Sequence, residues 1–265
     1  MYRTAGLAFA SVCLLSIELL SLTACSSSHG DPPAPGGSTP LGQGLRIRDI
    51  GNPASPTHPR DGAQVNVTGA ALLWIDAFDE TQDGKSRGTV FVQDVGSQAP
   101  YSGISIFAPA YIPADLRVAP GDVLDFAGQY KEMSSIGSAK FPANQFLIQL
   151  SKPVSTFRFE YRAPDPTVVP LTDLDDFDKG RQWSSMLVTV NDVAIVAAAL
   201  DSSGKRVTYT LDTAANGVAI SNELFDLKLD AFPVGTHFKS VTGVVTWFFS
   251  YHIAPRSKDD LVVAP

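Results

Sequence analysis

The chain has 265 residues, 44% of them apolar and 18% charged, with 21 glycines and 19 prolines. That apolar share excludes a disordered chain, and the glycine and proline load excludes a coiled coil or long-helix protein. Twenty basic residues against 27 acidic ones leave a net charge of −7, which argues against a broad face that grips nucleic-acid backbone. Two cysteines are too few for a disulfide scaffold or a Cys-rich zinc site.

Residues 1–24 read as a signal peptide. Arg3 supplies a positive start, and an apolar stretch over residues 7–22 is interrupted by Glu18. The stretch is short for a membrane span. It closes on Leu22, Thr23, Ala24 and Cys25, a run that resembles a bacterial lipobox. The resemblance implies cleavage before Cys25 and a thioether from its thiol to diacylglycerol. An ordinary signal peptide with an incidental cysteine is the alternative. Ser26 follows the cysteine, and similarity to lipoproteins of diderm bacteria then implies the outer membrane. No later stretch reaches the roughly 20 apolar residues of a transmembrane helix, so the lipid is the expected anchor. Residues 25–44 are rich in Ser, Gly and Pro and read as a lipidated, disordered tether, with His29 solvated within it.

From residue 45 onward the signal is β. Alternating runs at 65–75, 88–94, 103–107, 122–130 and 146–150 predict five strands within a first module spanning 45–160. A Pro-rich boundary follows, and residues 161–180 read as a linker. It carries one short helix over 171–180, with Thr172 as N-cap and Gly180 as C-cap. A second module, 181–265, repeats the pattern with runs at 186–196, 206–211, 218–220, 238–249, 251–253 and 261–263. Residues 222–227 predict another short helix inside it. The two modules look like degenerate copies. Val65, Asn66 and Val67 match Val188, Thr189 and Val190, and the glycine pair Gly121 and Gly128 matches Gly235 and Gly243. The first glycine of each pair is expected in a turn at positive φ, the second at a bulge or bend in a strand.

The predicted fold is therefore mainly β: two small antiparallel OB-like barrels in tandem, with one or two short helices, after the signal peptide and tether. The run Asp79, Glu80 and Thr81 ahead of 88–94, the Gly103 strand and the turn at Pro120, Gly121 and Asp122 carry a resemblance. So do residues 180–193 and 253–261. They are similar to OB-fold modules of secreted bacterial proteins, some of which sit beside extracellular nuclease domains, and to tandem-OB lipoproteins. The resemblance covers residues 45–265 and implies an accessory or binding unit rather than a nuclease.

Catalytic signatures are missing from the sequence. No HExxH, GxSxG or Walker pattern occurs, and His29, His58, His237 and His252 have no tight metal spacing. The sequence points to no catalytic residue and to no cofactor, calcium apart. Asp79, Thr81 and Asp83 place oxygens at alternate positions before Gly84, as a calcium loop does. Val90 stands where an EF-hand carries its bidentate Glu, and an Asp-Gly hairpin turn explains the same letters. Asp173, Asp175, Asp176 and Asp178 read as the solvated start of a helix. Arg256 is expected to dock on a carboxylate. Aromatics on barrel faces supply the ligand-binding candidates Tyr101, Tyr130, Trp247 and Tyr251, although alternate members must point inward as core. The basic residues are scattered, so nucleic acid is not the expected partner. The expected role is a non-catalytic, lipid-anchored binding or assembly module with a protein or glycan partner in the envelope. The alternatives are a calcium-dependent adhesion module and a nucleic-acid-binding accessory of a secreted nuclease system.

Overall fold

A strand leaves unpaired N–H and C=O groups along each edge, and short β-rich chains satisfy them most completely by closing the sheet on itself. The computed structural model describes residues 42–76, 89–107, 118–136, 138–212 and 217–265. The signal peptide, Cys25 and nearly all of the tether lie outside the described residues, as do Asp79, Thr81 and Asp83. The protein is mainly β, with three short α-helices among the described residues.

The first set of strands comprises β1 (Gln64–Ile75), β2 (Thr89–Asp94), β3 (Gly103–Phe107) and β4 (Val123–Met133). A small hairpin of β5 (Ser135–Ile136) and β6 (Ala139–Lys140) precedes the long β7 (Leu147–Phe159). β1, β2, β3, β7 and β4 close into a barrel in that order. The second set begins with β8 (Thr167–Val168), β9 (Leu187–Leu200), β10 (Val207–Leu211) and β11 (Ala219–Ser221). It ends with β12 (His237–Phe248), β13 (Ser250–Ala254) and β14 (Leu261–Val263). These form a seven-stranded sheet in the order β14-β12-β13-β11-β10-β9-β8, and β12 also pairs with β9. That extra ladder returns the sheet to its own first long strand. The pairings β9-β10-β11-β13-β12-β9 repeat the connectivity of β1-β2-β3-β7-β4-β1.

The repeat seen in the letters is a repeat in register. Val65 pairs with Gly128 across β1 and β4, and Val188 pairs with Gly243 across β9 and β12. Gly121 and Gly235 sit in turns at φ +100 and +92. The strand glycines share a second property, close approach. A Cβ on Gly128 would lie 2.7 Å from Leu150 of β7, and one on Gly243 would lie 2.6 Å from the Ala254 carbonyl of β13. The register shifts at Gly128 in the β4–β7 pairing, so a bulge forms there, whereas Gly243 lies in an unbroken ladder.

Several expectations change. The sets are not wholly antiparallel: β3 pairs in parallel with β7, and β11 with β13. Five strands in a ring cannot alternate direction throughout, so at least one neighbouring pair must be parallel. β7 runs nine residues past the expected end at Leu150, through Pro153. Pro153 is tolerated because it falls at the bulge beside Gly128, next to Lys152 at φ +49. Residues 151–159 thus belong to β7, within the first module.

The single helix expected over 171–180 is two, α2 (Leu171–Leu174) and α3 (Phe177–Arg181). Asp176 adopts an extended conformation and accepts the Lys179 N–H, restarting the helix. Thr172 lies within α2 rather than capping it, since the N-cap is Pro170. Residues 222–227 are not helical. Asn222 is tied instead to the strand beside it, accepting from Val207 N–H and donating to the Lys205 carbonyl. Those side-chain bonds to backbone compete with helix formation at the start of the segment.

The sequence pattern predicts no helix before β1, yet one is present. The helix α1 (Ile47–Gly51) buries Ile47 and Ile50 completely. Its amides at Ile47 and Arg48 donate to the buried Asp94 carboxylate at 2.8 and 3.1 Å, and Arg46 Nε joins them at 3.1 Å. α1 packs with the first core as Leu174 and Phe177, from the helices preceding β9, pack with the second.

Period-two alternation sends Val90, Val92, Ile104 and Ile106 into the first core. The opposite face of β2 is buried as well. Phe91 joins Leu73, Leu187, Leu224, Val244 and Ala254 in a separate cluster between the two sheets. Each Leu, Val and Phe side chain in it contributes roughly 1.5–3 kcal/mol when fully buried, so the junction is a third core rather than a loose contact. Gln93 clasps it. The amide is fully buried, its Oε1 accepting the Leu187 N–H at 2.9 Å and its Nε2 donating to the Ser97 carbonyl at 2.6 Å. Gly103 permits the approach, since a Cβ there would lie 2.6 Å from the Ser185 carbonyl. The Tyr101 N–H reaches the Gln182 carbonyl at 2.7 Å. All described residues fall in one compact unit.

Candidate functional site

The outward residues of a strand lie on every second position, so Thr89 and Phe91 of β2 face the same way as Ser105 and Phe107 of β3. The junction covers this face incompletely. Between it and β12 remains a cavity of about 180 Å³. Its apolar wall includes Phe91, Phe107, Met133, Ile136 and Trp247. Its polar wall includes Thr89, Ser105, Gln149, Ser184 and Thr246. Glu223 also borders it and accepts a 2.6 Å hydrogen bond from Thr246 Oγ1. Among the described lining residues there is no Lys or Arg.

A second, more open cleft of about 470 Å³ adjoins the first across Trp247. Phe141, Phe177, Phe249 and Tyr251 line it, with Lys140, Gln145 and Asp175 among its polar groups. The indole is fixed by packing: its ring meets Phe141 edge-on at 4.5 Å and Phe177 at 6.1 Å. Phe249 is 64% exposed and sits at φ +65 between β12 and β13. Phe248 pairs with Ser250, so Phe249 alone turns the chain between the two strands, and that tight turn holds it in the left-handed region.

The predicted ligand-binding aromatics divide. Trp247 lines both clefts while remaining 8% exposed. Tyr251 borders the second cleft, but its ring is buried and its hydroxyl donates to the Phe177 carbonyl at 2.9 Å, so it acts as core. Tyr130 is completely buried, with His58 edge-on at 5.6 Å, and it is removed from any surface ligand. Burial, reinforced by Glu132, pushes the Tyr130 phenol above its ordinary pKa, and burial does the same to Tyr251. Tyr101 is half-buried at φ +65 beside the junction and lines neither of these two clefts. The signal for the remaining lining was present in β2. Residues 89–94 alternate, yet both faces carry apolar side chains, which marks a strand covered on two sides.

The acids serve local structure. Asp173 accepts from Trp183 Nε1 at 3.2 Å, and Asp178 accepts from Gln145 Nε2 at 3.0 Å. Arg256 docks on Asp260 through Nε and Nη2 at 3.0 and 2.9 Å. Asp94 is pushed above the usual carboxylate value by burial, against the pull of Arg46 and the α1 amides. His58 contacts the Ile50 carbonyl through Nδ1 at 2.7 Å and lies 3.5 Å from the Glu132 carboxylate. His237 is exposed, and His252 is buried, its pKa lowered to about 4 by burial and then by the Arg206 charge. Among the described residues no three His, Cys, Asp or Glu side chains stand together to hold a metal ion. Nor is any described helix long and apolar enough to cross a membrane. No protein-family model matches the chain, and no curated protein matches it.

Proposed function

We propose that the chain is a lipid-anchored envelope protein, held through Cys25 in the outer membrane, that binds a ligand without transforming it. Two OB-like barrels carry the site, and the tether lets them reach beyond the lipid headgroups. The observation that carries this reading is the cavity between the two sheets, walled by outward residues of β2 and β3 and closed by β12. Aromatic surface with a few convergent polar groups is the usual composition of a small-molecule site. The strand order 1-2-3-5-4-1 in both halves supports the OB-like description. The acidic net charge favours partners other than nucleic acid or anionic lipid.

Native mass spectrometry of protein released from membranes in mild detergent tests the reading. Wild type should retain a bound small molecule, and Ser105→Trp, which fills the cavity from β3, should lose it. A bare wild-type mass, or the same adduct on both proteins, would refute the site.

A further inference from the structure

We infer that the open cleft beside Trp247 docks the proline-rich run of the tether, residues 31–35, from a neighbouring copy of this chain. The inference goes beyond the ligand of the junction cavity and does not depend on it.

The run reads Asp31, Pro32, Pro33, Ala34 and Pro35. Prolines this dense favour the polyproline II helix, which repeats every three residues. In that helix Pro32 and Pro35 share an edge, about 9 Å apart. A segment extended in advance loses little entropy on binding, and aromatic-lined grooves are the surfaces that recognise it.

The cleft has the matching form. Trp247 and Phe249 stand two positions apart and both line it, together with Phe177 of α3. The indole is held by its neighbours, and the exposed Phe249 ring is braced edge-on by Phe248 at 4.7 Å. Rings fixed before a ligand arrives lower the cost of ordering on binding. The cleft volume of about 470 Å³ falls within the usual range for a ligand site.

The polar groups fit the run as well. From Pro32 to Pro35 only Ala34 carries an N–H, so one buried acceptor is enough. Gln145 supplies it, since its Oε1 is buried and has no hydrogen-bond partner among the described residues. Asp31 places a negative charge ahead of the first proline, and Lys140 in the lining carries the matching one. Asp175, the other charged residue of the described lining, repels Asp31, so the run enters in one direction.

Reach decides which copy supplies the run. Gly42, the first described residue, lies against the Asp125 carboxylate and the Thr68 hydroxyl. Seven residues lead from Pro35 to Gly42, and they span at most about 25 Å. From Asp125 to Met133 alone, β4 covers about 26 Å, and Lys140 stands in the β5–β6 hairpin past that end. A run tied at Gly42 falls short of its own cleft, and a neighbour's run is under no such limit. Each copy then offers one run and one cleft. Such a head-to-tail contact repeats from copy to copy and links them into chains.

The test begins with sedimentation velocity of the mature protein over about a hundredfold range of concentration. Wild type should grow in size as concentration rises, and a tether variant combining Pro32→Ala, Pro33→Ala and Pro35→Ala should stay monomeric. A synthetic peptide of residues 29–37 is then titrated into that tether variant and followed by tryptophan fluorescence. It should bind with a Kd below about 1 mM, and about tenfold more weakly once Phe249→Ser, a change at an exposed turn, is added. Lys140→Glu should weaken the peptide about two- to fivefold, and a peptide carrying Asp31→Lys should recover that loss. Wild type that is monomeric at every concentration would overturn the link between copies. Equal binding of a peptide with alanines in place of its prolines, or equal binding by Phe249→Ser, would overturn the cleft as the site of this run. If vesicles of phosphatidylethanolamine and phosphatidylglycerol shift the tryptophan signal through Phe249 and the peptide does not, the cleft is a lipid contact and the inference falls.

Discussion

The buried imidazole of His252 makes stability depend on pH in a defined window. It sits in β13, paired across to Thr246 and Ala219, with its Nδ1 buried and without a hydrogen-bond partner. Burial first, and the Arg206 charge second, lower its pKa to about 4 from 6.5. In the unfolded chain the ring takes a proton at its ordinary pKa, while the folded chain resists until about pH 4. Between those values the unfolded state binds more protons, so stability must fall as pH falls. The contribution is fully present above pH 6.5, and no further loss arises from this group well below pH 4. A tenfold difference in proton affinity between the two states corresponds to about 1.4 kcal/mol, so the loss reaches about 2 kcal/mol at pH 5 and about 3 kcal/mol at pH 4. Urea denaturation of wild type and His252→Leu at pH 7.5, 5 and 4 isolates the effect from other titrating groups. The variant should lose less stability on acidification by those amounts, whatever its stability at pH 7.5. Parallel losses in the two proteins would refute the assignment, as would an NMR titration placing the folded imidazole near 6.5.

Two further substitutions probe how the halves are joined and curled. Gln93→Leu keeps the volume but leaves the Leu187 N–H unpaired in a dry junction, and should lower stability by about 1–3 kcal/mol. An unchanged urea midpoint would contradict the clasp. Gly243→Ala drives a methyl group into the Ala254 carbonyl, where backbone must move, and should cost about 1–3 kcal/mol. Gly204→Ala serves as the control, since its Cβ meets nothing within 4 Å and only its φ of +71 opposes the change, at about 1 kcal/mol. Thermal melts showing the two variants equally stable would remove the close-approach explanation.

The strands were legible because burial on one side of a sheet writes itself as alternation, and that is a local pattern. The paired glycines were legible for the same reason: each backbone approach leaves one position at which a side chain cannot stand. What escaped reading depended on distant partners. The five-residue helix α1 is too short to show a period, and its start is fixed by Asp94 on β2. The second half of β7 was hidden by Pro153, which only the bulge opposite Gly128 makes acceptable. The candidate site was half visible. Trp247 could be picked as an aromatic on a barrel strand, but the same rule chose Tyr130 and Tyr251, which the strand pleat turns into the core. The partner wall of Phe91, Ser105 and Phe107 belongs to the other half of the chain, and the pattern of β2 shows that both its faces are covered but not by what.

An anchored module and a free one have different ligands within reach, so the intact mass of the mature protein is the most direct measurement. Wild type and Cys25→Ala should be expressed in a diderm bacterium and partitioned between detergent and water. Anchoring predicts a chain beginning at Cys25 that carries diacylglycerol and an acyl group, enters the detergent phase, and loses both properties in Cys25→Ala. A water-soluble wild-type product, cut elsewhere and unaffected by the substitution, would contradict the anchor and make the protein a freely secreted module.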